Sequence, residues 1–509
     1  MKILSKFRIP KTKEEKKKLR KERFLLILSG LLIGISFPPF IFPFTLLIFI
    51  GFVPYLYVLM QRKTLAEINR ATFLMAFILT VITVYWVGSW QAEADPFLMM
   101  GGAALLFALP CVMLIPSTLF YLSKKLFNGK ASLLGAFGLS VVVLFINIFF
   151  YKSFINIHQE KSFSTRYFVI ATFIFVLFVV YGLVKISSFK FSGKELRIGV
   201  VQPNIDPWAK WQSGNLQEMV NNYLEQSQEV VDEGAKLILW PETALPVYLM
   251  NGNYYPEVNS IYAYLDSNNI ALLTGMPQIN FYFDDQKFPA DAKYNKGGRF
   301  HYTTYNSILL LRPGTREYQQ YGKMKLVPLG EHVPFVEEFS FLADVFKWGV
   351  GLSGWNVGKD TLVFKLPMNK DTVKIGGLVC YESIFPLFVT NFVKRGAQFI
   401  VVVTNDSWYG NSSGPYQHED FAILRAVENR RSVVRCANGG ISCIINPLGK
   451  IESETKMFTK TVLVGDVELR SEKTFYTEHP AIITTIISII SLWIVGLNIL
   501  LYIKNKFKL

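Results

Sequence analysis

The chain has 509 residues, 51% of them hydrophobic and 18% charged, with a formal net charge of +15. That length exceeds one ordinary core, so at least two domains are expected, and the apolar excess excludes a wholly soluble protein. The basic residues cluster beside apolar runs, which is the pattern of cytoplasmic membrane loops and argues against nucleic acid as a partner. Four cysteines, Cys111, Cys380, Cys436 and Cys443, are too few and too scattered for a disulfide framework. Cys436 and Cys443 could pair across a hairpin, but free core thiols are the better reading.

Residues 1–23 contain the run KTKEEKKKLRKER and read as a basic, solvated cytoplasmic segment. No short apolar region with a small-residue cleavage site follows, so no removable signal peptide is expected. Residues 24–190 read as a helical transmembrane domain. The apolar stretch 24–60 is broken by SFPPFIFP, whose prolines end one helix and allow a reversal, giving two crossings with the first one short. Further crossings are expected over 71–90, 97–122, 133–150 and 167–184, and a last one, 481–503, stands alone near the C-terminus. The N-terminus, QRKTLAEINR and SKKLFNGK are basic and read as cytoplasmic, whereas QAEADP is acidic and reads as external. The alternation then fails, because YKSFINIHQEKSFSTR should be external yet carries Lys152, Lys161 and Arg166. The charges behave as if one crossing were absent between Lys130 and Leu133.

Over residues 195–478 short β-type runs alternate with amphipathic stretches. LRIGVVQPN, KLILWPET, IALLTGMPQIN, YNSILLLRPG, VKIGGLVCYE and FIVVVTNDSW read as strands. EMVNNYLEQSQEVVDEG, FPLFVTNFVKRG and EDFAILRAVENRRS read as helices, and SVVRCANGG and SCIINPLGK as closing strands. This is the layered α/β pattern, in which helices cover a sheet. No glycine-rich phosphate loop, HExxH, GxSxG or metal-ligand spacing is present, and with 5 histidines a histidine-based triad has few candidates. His418 reads as a surface or helix-start histidine.

Three ionisable groups end or interrupt apolar strands, where α/β folds place chemistry. Glu242 follows KLILWP, Lys323 lies in QYGKMKLVPLGEHVPF, and Cys380 ends KIGGLVC. Singly, Glu242 could cap a helix begun by TALPVYLM, Lys323 could be one of several solvated lysines, and Cys380 an ordinary core thiol. Jointly, a base, a cation and a thiol are the parts of thiol acyl transfer. Glu242 would take the thiol proton; Lys323 and the backbone N–H of Tyr381 would stabilise the oxyanion; water or an amine would discharge the thioester.

WPET, YGK and VCYES resemble the Glu-Lys-Cys motifs of the nitrilase (carbon–nitrogen hydrolase) superfamily. More narrowly, LVPLGEHVPF, TNDSWYGNSSGPYQH and LRAVENRRSVVRCANGGIS resemble the bacterial apolipoprotein N-acyltransferase family. The resemblance implies a nitrilase-like α-β-β-α sandwich joined to a polytopic α-helical transmembrane domain. It implies Glu242 as base, Lys323 as oxyanion stabiliser and Cys380 as nucleophile, with Glu331 as a second acidic residue. Tyr381 and Glu382 resemble the pair after the family's nucleophile, Trp211 an aromatic near the substrate opening, and Lys325 is a nearby decoy. Trp408, Tyr409 and Phe335 are further candidates for that opening, with core packing an equal reading for Phe335. The implied reaction moves an acyl chain from a membrane phospholipid through Cys380 to the N-terminal amine of a diacylglyceryl-cysteine apolipoprotein. It needs no metal or organic cofactor, and the resemblance implies a bacterial inner membrane with the catalytic domain outside the cytoplasm. A monomer is the expectation. The family expects seven crossings before the catalytic domain, one more than the six read here. The alternative is a membrane-tethered amidase, in which water replaces the amine.

Overall fold

A computed structural model of the chain describes residues 12–91, 96–126, 138–159, 163–210, 215–283, 286–295, 297–328, 330–331, 354–368 and 371–507. It divides into two compact units. One comprises 1–85, 102–189 and 481–509, the other 86–101 and 190–480.

The first unit is helical: α1 (Lys13–Gly34), α2 (Val53–Met60), α3 (Leu65–Val84), α4 (Pro96–Val112, its first residues belonging to the other unit), α5 (Leu114–Leu126), α6 (Gly138–Gln159) and α7 (Thr165–Ser187). Capping boxes start α1 and α3. The hydroxyls of Thr12 and Thr64 accept from the N–H groups of Glu15 (3.1 Å) and Glu67 (3.3 Å), and each glutamate returns to its cap N–H. Gly30 and Gly34, one turn apart on α1, let it approach α3 closely. A Cβ on either would lie 2.8 Å from a side-chain carbon of Ile78 or Ile82. Leu26, Ile33, Leu56, Leu59, Ile68 and Met75 fill the contact between α1, α2 and α3.

Near the helical break before α2, apolar surroundings make unpaired backbone costly, and Asn147 of α6 supplies the partners. Its Oδ1 accepts from Phe52 N–H at 2.9 Å, and its Nδ2 donates to the carbonyl of Ile48 at 2.8 Å. Among the described residues, four helical stretches are long and apolar enough to cross a membrane: Leu65–Gly88, Leu98–Leu122, Thr165–Ser187 and Ile482–Phe507. Phe44–Met60 and Val142–Ile155 are shorter apolar helices. Phe173, Leu177 and Leu183 on α7 stay uncovered, as side chains facing hydrocarbon do. This is a membrane protein. The segment 127–137, where a crossing reads as absent, lies outside the described residues.

The second unit holds two sheets. Its strands are β1 (Glu195–Gln202), β2 (Leu237–Trp240), β3 (Ala271–Tyr282), β4 (Lys293–Asn295), β5 (Phe300–Leu311), β6 (Gln319–Gly322), β7 (Val363–Met368), β8 (Asp371–Val379), β9 (Phe399–Thr404), β10 (Val433–Ala437), β11 (Cys443–Ile445), β12 (Ile451–Glu454) and β13 (Thr461–Glu468). One sheet runs β13-β1-β2-β3-β5-β4, with β6 also on β5; the other runs β12-β11-β10-β9-β8-β7. Each has three parallel strands at its centre, β1-β2-β3 and β8-β9-β10, flanked by antiparallel ones.

Residues of period two separate the layers. Ile198 and Val200, Leu237 and Leu239, and Ile308 and Leu310 share one core with Ile375, Val401 and Val403 of the other sheet. On the opposite face, Val201, Ile238, Trp240 and Leu272 pack against Val220 and Tyr223 of α8 (Leu216–Asp232) and Ile261 and Leu265 of α9 (Tyr255–Asn268). Phe392 of α10 (Pro386–Lys394) and Ala422 and Ala426 of α11 (Gly414–Asn429) pack on the second sheet. The result is the α-β-β-α sandwich. Cys436 and Cys443 are both buried and free, as the core reading of those thiols requires.

Gly34→Val should push α1 off α3 and destabilise the helical unit by about 1–3 kcal/mol, the usual cost of overpacking. A lowered thermal midpoint in detergent checks this; an unchanged one means that the glycine contact is not used.

Candidate active site

Strand ends deliver the candidate residues to one place. Glu242 lies two residues beyond β2, Lys323 directly follows β6, and Cys380 directly follows β8. Lys323 is 1% exposed and its Nζ donates to Glu331 Oε1 at 2.7 Å and to Glu242 Oε1 at 3.3 Å. Burial works against the ammonium, but Glu331 and then Glu242 outweigh it and hold the lysine well above its usual range. Lys323 is therefore a fixed cation. Lys325, two residues on, is exposed and lies over the rings of Phe385 and Phe388.

Asn306 of β5 joins the two carboxylates. Its Nδ2 donates to Glu242 Oε1 at 2.7 Å and Glu331 Oε1 at 3.0 Å, while its backbone carbonyl accepts from Lys323 N–H at 2.8 Å. The second oxygen of Glu242 accepts from Asn405 N–H (3.1 Å), that of Glu331 from Val327 N–H (2.9 Å). No helix starts at Glu242, the next being a single turn at Leu249–Asn251, so the capping reading fails; Thr243 instead has φ 46°. Gly275 of β3 makes room, since a Cβ there would lie 2.5 Å from Glu242 Cα.

Cys380 opens a short helical turn, Cys380–Ile384, with φ 48°. A non-glycine residue held in the left-handed region is strained, and such strain gathers at functional positions. Burial and the nearby Glu242 charge push the thiol above its ordinary range, while Lys323 pulls it down and Thr404 hydrogen-bonds it. The resting sulfur is consequently a thiol, and a proton acceptor is needed before it can attack.

Glu382 stitches the cysteine turn to the lysine loop. Its Oε1 accepts from Tyr321 O–H (2.7 Å) and from the N–H groups of Met324 (2.6 Å) and Lys325 (3.2 Å), its Oε2 from Val379 N–H (2.8 Å). It is fully buried, and burial raises its carboxyl to about 7. Such a residue ties two loops together rather than facing a ligand. Tyr381 is partly exposed, edge-on to Phe385. Trp408 meets Trp208 edge-on at 4.7 Å, and Tyr409 meets Trp86 at 4.8 Å. Ser89 Oγ and Gln91 Nε2 donate to the Trp408 carbonyl. Trp211 and Phe335 lie outside the described residues.

Several groups escape a reading of the sequence alone. Asn306 announces itself only as an amide inside the apolar strand YNSILLL. Lys210 is buried beside Glu242, and burial brings its amine down to about 7. His418 is not on the surface: it is 9% exposed, with its ring turned inward from α11. Cys380, Asp406 and His418 each bring one ligand-type atom within 4.8 Å of the others. Arg435 occupies the Asp406 carboxylate and both His418 nitrogens have protein partners, so the cluster is a hydrogen-bonded ion network.

Comparison with known proteins fits this geometry. Residues 197–475 match the carbon–nitrogen hydrolase family. Apolipoprotein N-acyltransferase of Chlorobaculum tepidum is 31% identical, with 91% of this chain and 94% of the relative covered. That of Rickettsia typhi is 30% identical over 75% of this chain and 68% of its own. An amidase from Nesterenkonia sp. of known structure is similar at 17% identity and a TM-score of 0.37, covering 57% of this chain and 95% of the amidase. A carbon–nitrogen hydrolase domain accompanied by long apolar helices, and aligned almost from end to end with such a relative, makes this chain a member of the apolipoprotein N-acyltransferase family.

Proposed function

We propose that the protein transfers a fatty acyl chain from a membrane phospholipid to the N-terminal amine of diacylglyceryl-cysteine in apolipoproteins, with Glu242, Lys323 and Cys380 as its catalytic residues. The observation that carries this reading is the buried meeting of Lys323 with Glu242 beside the strained Cys380, within a family of that name.

Glu242 accepts the proton of the Cys380 thiol, and the thiolate attacks the ester carbonyl carbon of the phospholipid. Negative charge on the carbonyl oxygen is met by the Lys323 ammonium, with the Tyr381 N–H as a second donor. Collapse breaks the ester C–O bond, and the lysophospholipid leaves with the proton held by Glu242. The acceptor amine then attacks the thioester carbonyl and loses a proton to Glu242. The C–S bond breaks, Cys380 is re-protonated, and the acylated lipoprotein departs. Glu331 keeps Lys323 charged and in place, and Trp408 belongs to the substrate opening. The apolar helices cross a bacterial inner membrane and the catalytic domain, over about 195–478, works on its outer side, where both substrates carry their tails. The protein needs no second copy in this scheme.

Purified protein given phospholipid and a diacylated lipopeptide should produce N-acylated peptide. Free fatty acid alone would mean that water is the acceptor and the amidase-type reading is right; no product at all would overturn both.

Glu242→Gln separates a base from a mere ion-pair partner. Turnover should fall by roughly 10²–10⁴-fold, the usual share of general acid–base catalysis. Alkylation of resting Cys380 by iodoacetamide should not slow, because the Glu242 charge raises the thiol and its loss favours thiolate. Parallel losses in both assays would contradict the assignment.

A further inference from the structure

Behind Cys380, on the side away from Lys323 in sequence, lies a buried group that the mechanism above does not use. The ring of His418 spans two acceptors. Nδ1 is 2.9 Å from Asp406 Oδ1, and Nε2 is 3.0 Å from the carbonyl oxygen of Cys380. Ser383 Oγ lies 2.8 Å from Nε2 and donates to the same carbonyl at 2.8 Å. A carbonyl oxygen only accepts, so the contact between Nε2 and the Cys380 carbonyl is made by an Nε2–H. Asp406 Oδ2 pairs with Arg435 of β10, whose Nη2 lies 3.4 Å from His418 Nδ1; Thr404 Oγ1 donates to Asp406 Oδ1 at 3.1 Å. Glu419, next to His418 on α11, adds to the negative charge that favours the Arg435 cation. Burial works against the Asp406 carboxylate, but Arg435 and His418 hold it down at about 2.

We propose that His418 is a positioning residue: braced by Asp406, it donates from Nε2 to the carbonyl of Cys380 and holds the nucleophile in its left-handed backbone conformation. The physical need is plain. A cysteine at φ 48° relaxes to an ordinary conformation unless its surroundings over-determine it. Rotating that peptide would turn both the sulfur and the following Tyr381 N–H away from the reacting carbonyl. An N–H donor held by Asp406 and aimed at the Cys380 carbonyl opposes that rotation. Ser383 adds a neutral donor to the same oxygen.

The inference rests on Cys380 being the nucleophile, and the test separates the two. Acylation of Cys380 by phospholipid is followed by intact-protein mass in a single turnover, alongside the thermal midpoint, for wild type, His418→Gln, His418→Asn and Cys380→Ala. Gln places its amide N–H where Nε2 stands, whereas Asn reproduces only the Nδ1 position facing Asp406. His418→Asn should acylate roughly 10–100-fold more slowly than wild type and His418→Gln at least about tenfold faster than Asn, the scale of leaving a buried acceptor unpaired. A purely structural histidine predicts no advantage for Gln, so equal rates in the two variants, or wild-type rates in both, overturn the clamp. An adduct that persists in Cys380→Ala, or a wild type that forms none, overturns the nucleophile assignment instead, and the clamp with it. If the histidine variants do not fold, Ser383→Ala carries the test. It should slow acylation about 3–10-fold at an unchanged thermal midpoint, and an unchanged rate overturns the proposal.

Discussion

The site is organised around one buried cation. Lys323 is almost wholly excluded from solvent, and a lone ammonium there would cost several kcal/mol. Two carboxylates, Glu331 at 2.7 Å and Glu242 at 3.3 Å, make it tolerable, and Asn306 locks the carboxylates to each other. Removing one partner from such a buried pair typically costs about 3–5 kcal/mol, so none of the three charges is free to drift. In the proposed mechanism the oxyanion donor is thus built before any substrate arrives, and no reorganisation is needed when negative charge develops.

Strain at Cys380 is the second constraint, and the surrounding chain is arranged to hold it. Glu382 fastens the turn to the lysine loop through four donors, so the Cys380 turn and the Lys323 loop are linked by a single buried side chain. On the other side His418 and Ser383 converge on the Cys380 carbonyl. The elevated thiol is a consequence of this dry setting: the sulfur stays protonated until a base and a carbonyl are both in place. A resting thiolate facing a membrane surface would be open to oxidation and alkylation.

Much of this was legible in the residues. Apolar runs such as KLILW and KIGGLV have no competing reading as helices once charged breaks follow them, and their ends marked Glu242 and Cys380 correctly as strand-end groups. Lys323 differed from Lys325 only by motif; burial separates them in the structure. What sequence could not carry is which polar group turns inward. His418 sits in the first turns of an amphipathic helix, where one rotation decides between solvent and core. Asn306 and Asp406 likewise acquire their roles only when β5 and β9 are placed beside other strands. The pairing of β13 with β1 is also a long-range event, which no local pattern around TKTVLVGDVE announces. In the helical unit, Asn147 serving the break near Phe52 depends on a contact across 95 positions, which no local pattern shows.

An amidase and an N-acyltransferase share the first half of their chemistry and part at the thioester. The central claim is therefore tested most directly by the fate of the acyl-enzyme. Protein loaded with a labelled acyl chain from phospholipid, freed of excess donor, is mixed with a diacylated lipopeptide or with buffer alone, and the label on the Cys380 peptide is followed. The account predicts rapid discharge only with the lipopeptide, the label reappearing as an amide on its N-terminal amine. Discharge at the same rate in buffer, with the label recovered as free fatty acid, would contradict it.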